Sequence, residues 1–130
     1  MIPLWNAKKE KILADNIKLT DVLNWLNEKQ AEHIAVYDVA NNCSYTDFIV
    51  VCNGSADLHN KAIANYILLM AKKSKYQILG KAGLEYGQWI LVDFGDVIVH
   101  IFRQEKREYY DIDQLFSELT EPIKEEKDLW

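Results

Sequence analysis

The stretch Gln88–Arg103, QWILVDFGDVIVHIFR, sets two runs of branched and aromatic residues on either side of Gly95-Asp96. Glycine supplies the positive φ that a tight hairpin turn requires, so the pattern predicts two β-strands folded over that dipeptide. In this register Phe94 faces Val97, Val92 faces Val99 and Ile90 faces Ile101, which makes one wholly apolar face. The opposite face pairs Asp93 with Ile98, Leu91 with His100 and Trp89 with Phe102. It is also apolar, but it carries Asp93 and His100 on a diagonal, within possible reach of each other. A slip by a single residue would exchange the two faces. The first face is core; any function in this hairpin belongs to the second.

Working outward, Asp47–Cys52, DFIVVC, is near-continuously apolar and reads as a central strand. His33–Val39, HIAVYDV, alternates and is dense in strand formers, with Asn41-Asn42 opening the turn between the two. A long helix is expected over Asp57–Lys73, capped by Ser55 or Asp57, with Leu58, Ala62, Ile63, Tyr66, Ile67 and Met70 as its buried stripe. Tyr76–Leu79 reads as a short strand entered after this crossover, hence parallel to the strand before it. Nearer the start, Thr20–Lys29 is a helix with Thr20 as N-cap and Leu19, Val22, Leu23 and Leu26 facing the core. After Arg103 come a charged stretch, Glu105–Glu108, and a last helix, Asp111–Leu119, with Ile112, Leu115, Phe116 and Leu119 as its stripe. The expected architecture is α/β, a single mixed β-sheet of about five strands flanked by helices. It occupies residues 19–119, between an N-terminal extension (1–18) that is partly helical and an acidic C-terminal tail (120–130).

Composition bounds the function. At 130 residues, 49% hydrophobic and 27% charged, the chain has the make-up of an ordinary globular domain. A net charge of −5 argues against gripping nucleic acid through its phosphates, though an acidic protein can still dock on a basic protein there. Cys43 and Cys52 form neither a disulfide framework nor a zinc spacing, and Cys52 reads as a buried thiol. The longest apolar run, Tyr66–Ala71, is far too short for a membrane span. These features fit the cytoplasm or a similarly reducing compartment.

Each group that suggests chemistry has a plainer reading. His33 opens a strand. His59 lies in the first turn of a helix, where the dipole disfavours its cation; it can donate a hydrogen bond or face a partner. His100, between Ile98 and Phe102, is as readily structural as functional. Asp93 and Asp96 resemble paired carboxylates, but aspartate suits a hairpin turn for backbone reasons. Gly54-Ser55 ahead of a helix offers free amides to a phosphate, as many helix starts do. No two histidines share a helix-face spacing, so no metal site is expected.

Taken together, the residues resemble the ribosomal silencing factor family, also called the Iojap family. The likeness rests on Asp38-Val39, Ser44, Thr46–Val50, Gly54-Ser55, His59 and Ala62–Ala64. Its most specific part is the run Trp89–Phe102, followed by Glu105, Arg107, Glu108, Tyr110, Ile112 and Leu115. It extends over about Leu19–Phe116 and departs locally: Ser55-Ala56-Asp57-Leu58 replaces a threonine-serine-serine-arginine, Ala82 a glutamate and Phe116 a tryptophan. The resemblance implies a homodimer with a nucleotidyltransferase-like core. It implies binding to the large ribosomal subunit through its protein number fourteen, with little direct nucleic-acid contact and no membrane or cofactor. Such a protein blocks subunit joining and represses translation when nutrients are short. The expected contact residues are Trp89, Asp93, Asp96, His100, Glu105, Arg107, Tyr110 and His59. Two other readings stand beside it: a nucleotidyltransferase-like enzyme using Ser55, Asp93 and Asp96 around a metal-bound nucleotide, and a dimeric adaptor for another partner. Tyr76–Leu79 lacks the acid pair that such an enzyme places on the strand after its Gly-Ser helix, which argues against catalysis.

Overall fold

The structure, a computed structural model, describes residues 4–120. Along the chain lie α1 (Leu4–Asp15), α2 (Ile17–Glu28), β1 (Glu32–Asp38), β2 (Phe48–Asn53) and α3 (Asp57–Lys73). They are followed by β3 (Gly80–Ala82), β4 (Trp89–Asp93), β5 (Val97–Phe102), α4 (Gln104–Tyr109) and α5 (Ile112–Ser117). The strands form one five-stranded mixed sheet in the order β1-β2-β5-β4-β3. Only β2 and β5 run parallel; the other neighbours are antiparallel.

The hairpin register is the one its alternation predicts. Trp89 lies opposite Phe102, Ile90 opposite Ile101, Leu91 opposite His100, Val92 opposite Val99 and Asp93 opposite Ile98. Gly95 takes φ +92° at the turn, and the Phe94 amide donates to the Val97 carbonyl at 2.9 Å. Ile90, Val92, Val99 and Ile101 join Phe48, Val50 and Cys52 beneath α2 and α3 in the larger core. Burial without a polar partner pushes the Cys52 thiol up to about 12, as expected for an inert core cysteine. On the other face Ile49, Val51 and Phe102 pack with Val39, Ile112 and Phe116 in a smaller cluster.

Several boundaries differ from the sequence expectation. Tyr76–Leu79 is not a strand: the chain leaves α3 through Lys75 at φ +61°, and pairing begins only with β3, antiparallel to β4. The parallel partner reached by the crossover is β5 instead. Thr20 is inside α2, not its cap; Asn16 holds the N-cap position, and the Thr20 hydroxyl donates to the Leu13 carbonyl at 2.7 Å. Neither Ser55 nor Asp57 caps α3, whose N-cap is Ala56, and Leu58 is 78% exposed, so it leaves the predicted stripe. The whole charged stretch Glu105–Glu108 is helical, inside α4. Residues 121–130, most of the predicted tail, lie outside the described residues.

Arg107 gives the main correction. Expected as a partner contact, it is buried and makes four hydrogen bonds within the chain. Its guanidinium clamps Asp113 in a bidentate pair at 2.7 and 2.9 Å and donates to the His33 carbonyl and Asn53 Oδ1. Tyr37 donates to the same Asp113 carboxylate, and Asn53 donates to Gln104. The network ties α4 and α5 to the ends of β1 and β2. A planar fork with fixed donors suits this bidentate geometry where a lysine would not.

The Arg107 guanidinium beside it holds the Asp113 carboxyl below its ordinary range. The pair therefore stabilises the fold fully above about pH 4, and that contribution is lost as pH falls through the lowered folded value. Asp113→Ala should cost about 2 kcal/mol at neutral pH. That is less than for a fully buried pair, because the Asp113 side chain is 45% exposed and water screens it. Urea unfolding of parent and variant checks this, and the gap between them should narrow as pH falls below about 4.

Candidate functional site

Trp89 begins β4 at the margin of the sheet, on the face that α4 and α5 cover only in part. Its ring lies 4.7 Å from the Phe102 ring and 5.6 Å from that of Tyr110, centroid to centroid. Trp89 is 40% exposed and Tyr110 48%, while Phe102 beneath them is fully buried. Tyr109 packs edge-on against Tyr110 and is itself exposed. Three aromatic side chains thus reach solvent at one end of the sheet, supported from below.

His100 is part of that support. It is buried, its ring stacked near Phe102 and 5.1 Å from Phe116, and its Nδ1 accepts the Trp89 indole N–H at 3.0 Å. An accepting Nδ1 places the single proton of the neutral ring on Nε2. Desolvation pushes the His100 imidazole down to about 4, so the ring is neutral across the physiological range.

The remaining expected contacts are spread widely. Asp93 does not meet His100; its carboxylate accepts the Gly95 amide at 2.8 Å, closing the hairpin turn. Asp96 is paired with Lys18 at 2.7 Å. Asp93 ends β4, four residues and about 13 Å from Trp89, and Asp96 lies beyond it in the turn. Glu105 is exposed near Trp89's end and pairs with Arg103 at 3.2 Å. Its own backbone amide, first of all, draws its carboxyl below the usual range.

His59 proves to be a staple between helices. Its Nδ1 accepts the Ser55 amide at 2.8 Å, and its Nε2 donates to the Lys29 carbonyl at 2.8 Å, joining the start of α3 to the end of α2. That bond also occupies the Ser55 amide that a phosphate would need. Beside it, an open cleft of about 460 Å³ lies between Gly54–Leu58 and Arg103–Glu105. Ser55 is near Phe102, whereas Asp93 and Asp96 are at the opposite end of the sheet, some 15–20 Å away along the strands. The Ser55, Asp93 and Asp96 constellation is therefore not assembled. Among the described residues no three His, Cys, Asp or Glu side chains converge as metal ligands, and no helix is long and apolar enough to cross a membrane.

Residues 13–129 match the sequence profile of a family described as "Ribosomal silencing factor during starvation". The chain belongs to that family. The match runs beyond the Leu19–Phe116 span legible from motifs alone, into both ends. Ribosomal silencing factor RsfS of Bacillus subtilis is 33% identical over 92 residues, covering 71% of this chain and 78% of that protein. A crystal structure from Chromobacterium violaceum superposes with a TM-score of 0.71 at 33% identity, covering 73% of this chain and 79% of the other. More distantly, the mouse protein named "Mitochondrial assembly of ribosomal large subunit protein 1" is 28% identical over 99 residues, which span 74% of this chain and 43% of that protein. The Chromobacterium violaceum structure shares the fold of this chain, whose frame is the five-stranded mixed sheet.

The depressed imidazole gives this site a pH signature. Unfolded, His100 takes up a proton near pH 6.5; folded, it resists until about 4. Its contribution is present above 6.5 and is lost as pH falls toward 4, because the unfolded chain binds the extra proton. Chemical denaturation across that window should show the parent losing roughly 3 kcal/mol more than His100→Leu, which carries no such titration.

Proposed function

We propose that this protein docks on the large ribosomal subunit through its protein number fourteen, and sterically prevents the small subunit from joining. The exposed Trp89–Tyr110 pair carries the proposal: aromatic rings held rigidly at a surface are the usual anchors of protein interfaces. Family membership supplies the ribosomal context, and the mouse relative is named for the large subunit. A net charge of −5 favours a basic protein partner over bare ribosomal RNA. Exposed Glu105 in the first turn of α4 and Asp96 at the hairpin turn supply the acidic groups for the cations of such a partner. The site of action is the cytoplasm, and the effect is repression of translation when nutrients are short. No catalytic step belongs to this reading.

Trp89→Ala should weaken association with isolated large subunits roughly thirtyfold, the equivalent of about 2 kcal/mol. Pelleting of parent and variant with purified subunits, paired with thermal melts, is the check. Full pelleting by a folded variant would sink the assignment, and so would a melting temperature that collapses.

The protein is also proposed to be a homodimer. Leu91 belongs to neither hydrophobic cluster and is only half-buried between Trp89 and Asp93, which leaves an apolar position open along β4 on the incompletely covered face. Light scattering at tens of micromolar should return twice the chain mass; the monomer mass would count against this.

A further inference from the structure

We infer that His100 is a positioning residue: it holds the Trp89 indole in the orientation that the partner meets, without touching the partner itself. The inference rests on the docking role proposed for Trp89. His100 is 8% exposed and lies opposite Leu91, two pairs along from the Trp89–Phe102 pair and on the same face. Its Nδ1 accepts the indole N–H at 3.0 Å, and the bond fixes the direction in which the indole points. Phe102, stacked at 13° to the imidazole and 4.7 Å from the Trp89 ring, restrains the ring's plane but not its rotation within that plane. Phe116 backs the imidazole from α5 at 5.1 Å, so the acceptor is itself held in place. Without the hydrogen bond, a tryptophan that is 40% exposed has free volume on its solvent side into which it can turn.

Two variants separate positioning from simple packing. His100→Leu fills the site and removes the acceptor. His100→Asn leaves a gap but returns an oxygen, Oδ1, to the place of Nδ1. Packing alone ranks leucine above asparagine in binding; positioning ranks asparagine above leucine. Two measurements are made on the full chain. In the free protein, hydrogen exchange at the Trp89 indole N–H is followed by NMR, with the resonance assigned through Trp89→Phe. Exchange should accelerate about tenfold in His100→Leu and stay within about threefold of the parent in His100→Asn. Affinity for purified large subunits should fall about tenfold for leucine and change less than threefold for asparagine. Unchanged indole exchange in His100→Leu overturns the inference, as does tighter binding by leucine than by asparagine. Failure of the parent to bind large subunits would overturn the docking proposal instead. The exchange measurement needs no ribosome and still decides whether His100 restrains Trp89.

Discussion

All six residues of β5 are buried, and most of the fold is a response to that. A strand with water on neither side needs pairing at both edges and cover on both faces. β2 and β4 supply the edges, α2 and α3 cover one face, and α4 and α5 cover the other. Backbone donors are satisfied within the sheet, but side-chain polarity is not. His100 is the one polar side chain in the strand, and a buried imidazole without a partner is costly. It meets that constraint through the indole of Trp89, on the neighbouring strand. The exposed tryptophan of the proposed docking face is thus coupled to the most enclosed element of the protein.

Cover on the second face is thin for a physical reason. α4 and α5 have six residues each, too few to be stable as isolated helices. Arg107 makes them part of the body by joining Asp113 of α5 to Asn53 at the end of β2 and to the His33 carbonyl of β1. That clamp anchors the helices over β1 and β2. Their apolar contacts stop at Phe102, and the margin formed by Trp89, Leu91 and Asp93 is left partly open. Exposure of the aromatic cluster follows from where the clamp is, since the helices it holds are too short to reach further.

The hairpin was legible because alternation and a turn glycine state the pairing within sixteen consecutive residues, Gln88–Arg103. The ends of α3 were legible for a similar reason, since polar and apolar residues change over there abruptly. β3 was not: Gly80–Ala82 has no periodicity, and its pairing with β4 depends on residues nine to thirteen positions away. α4 was hidden because Gln104–Tyr109 has no apolar stripe; its one buried side chain is the arginine. Arg107 itself was misread because a charge in a charged run looks solvated, and its partner Asn53 is 54 positions earlier. His59 was half legible: its place in a first turn allowed it to donate a hydrogen bond, but the acceptor at the end of α2 could be found only in three dimensions. Within the candidate site, then, the aromatic residues could be read from sequence and the polar bonds that hold them could not.

The separation of Trp89 from Asp93 and Asp96 does not divide them into unrelated sites. Trp89 and Asp93 lie on the open face of β4, about 13 Å apart, and Asp96 lies just beyond in the turn. A typical protein partner buries about 800 Å² on each side, a patch about 30 Å across. A partner seated along β4 therefore spans the aromatic end and the acidic turn in one footprint, with Leu91 at its centre. Arg107 and His59 lie outside that footprint, one beneath α4 and the other in the seam between α2 and α3. A second copy of the chain on the same strip would cover Leu91, so dimer and ribosome compete for one surface if both use it.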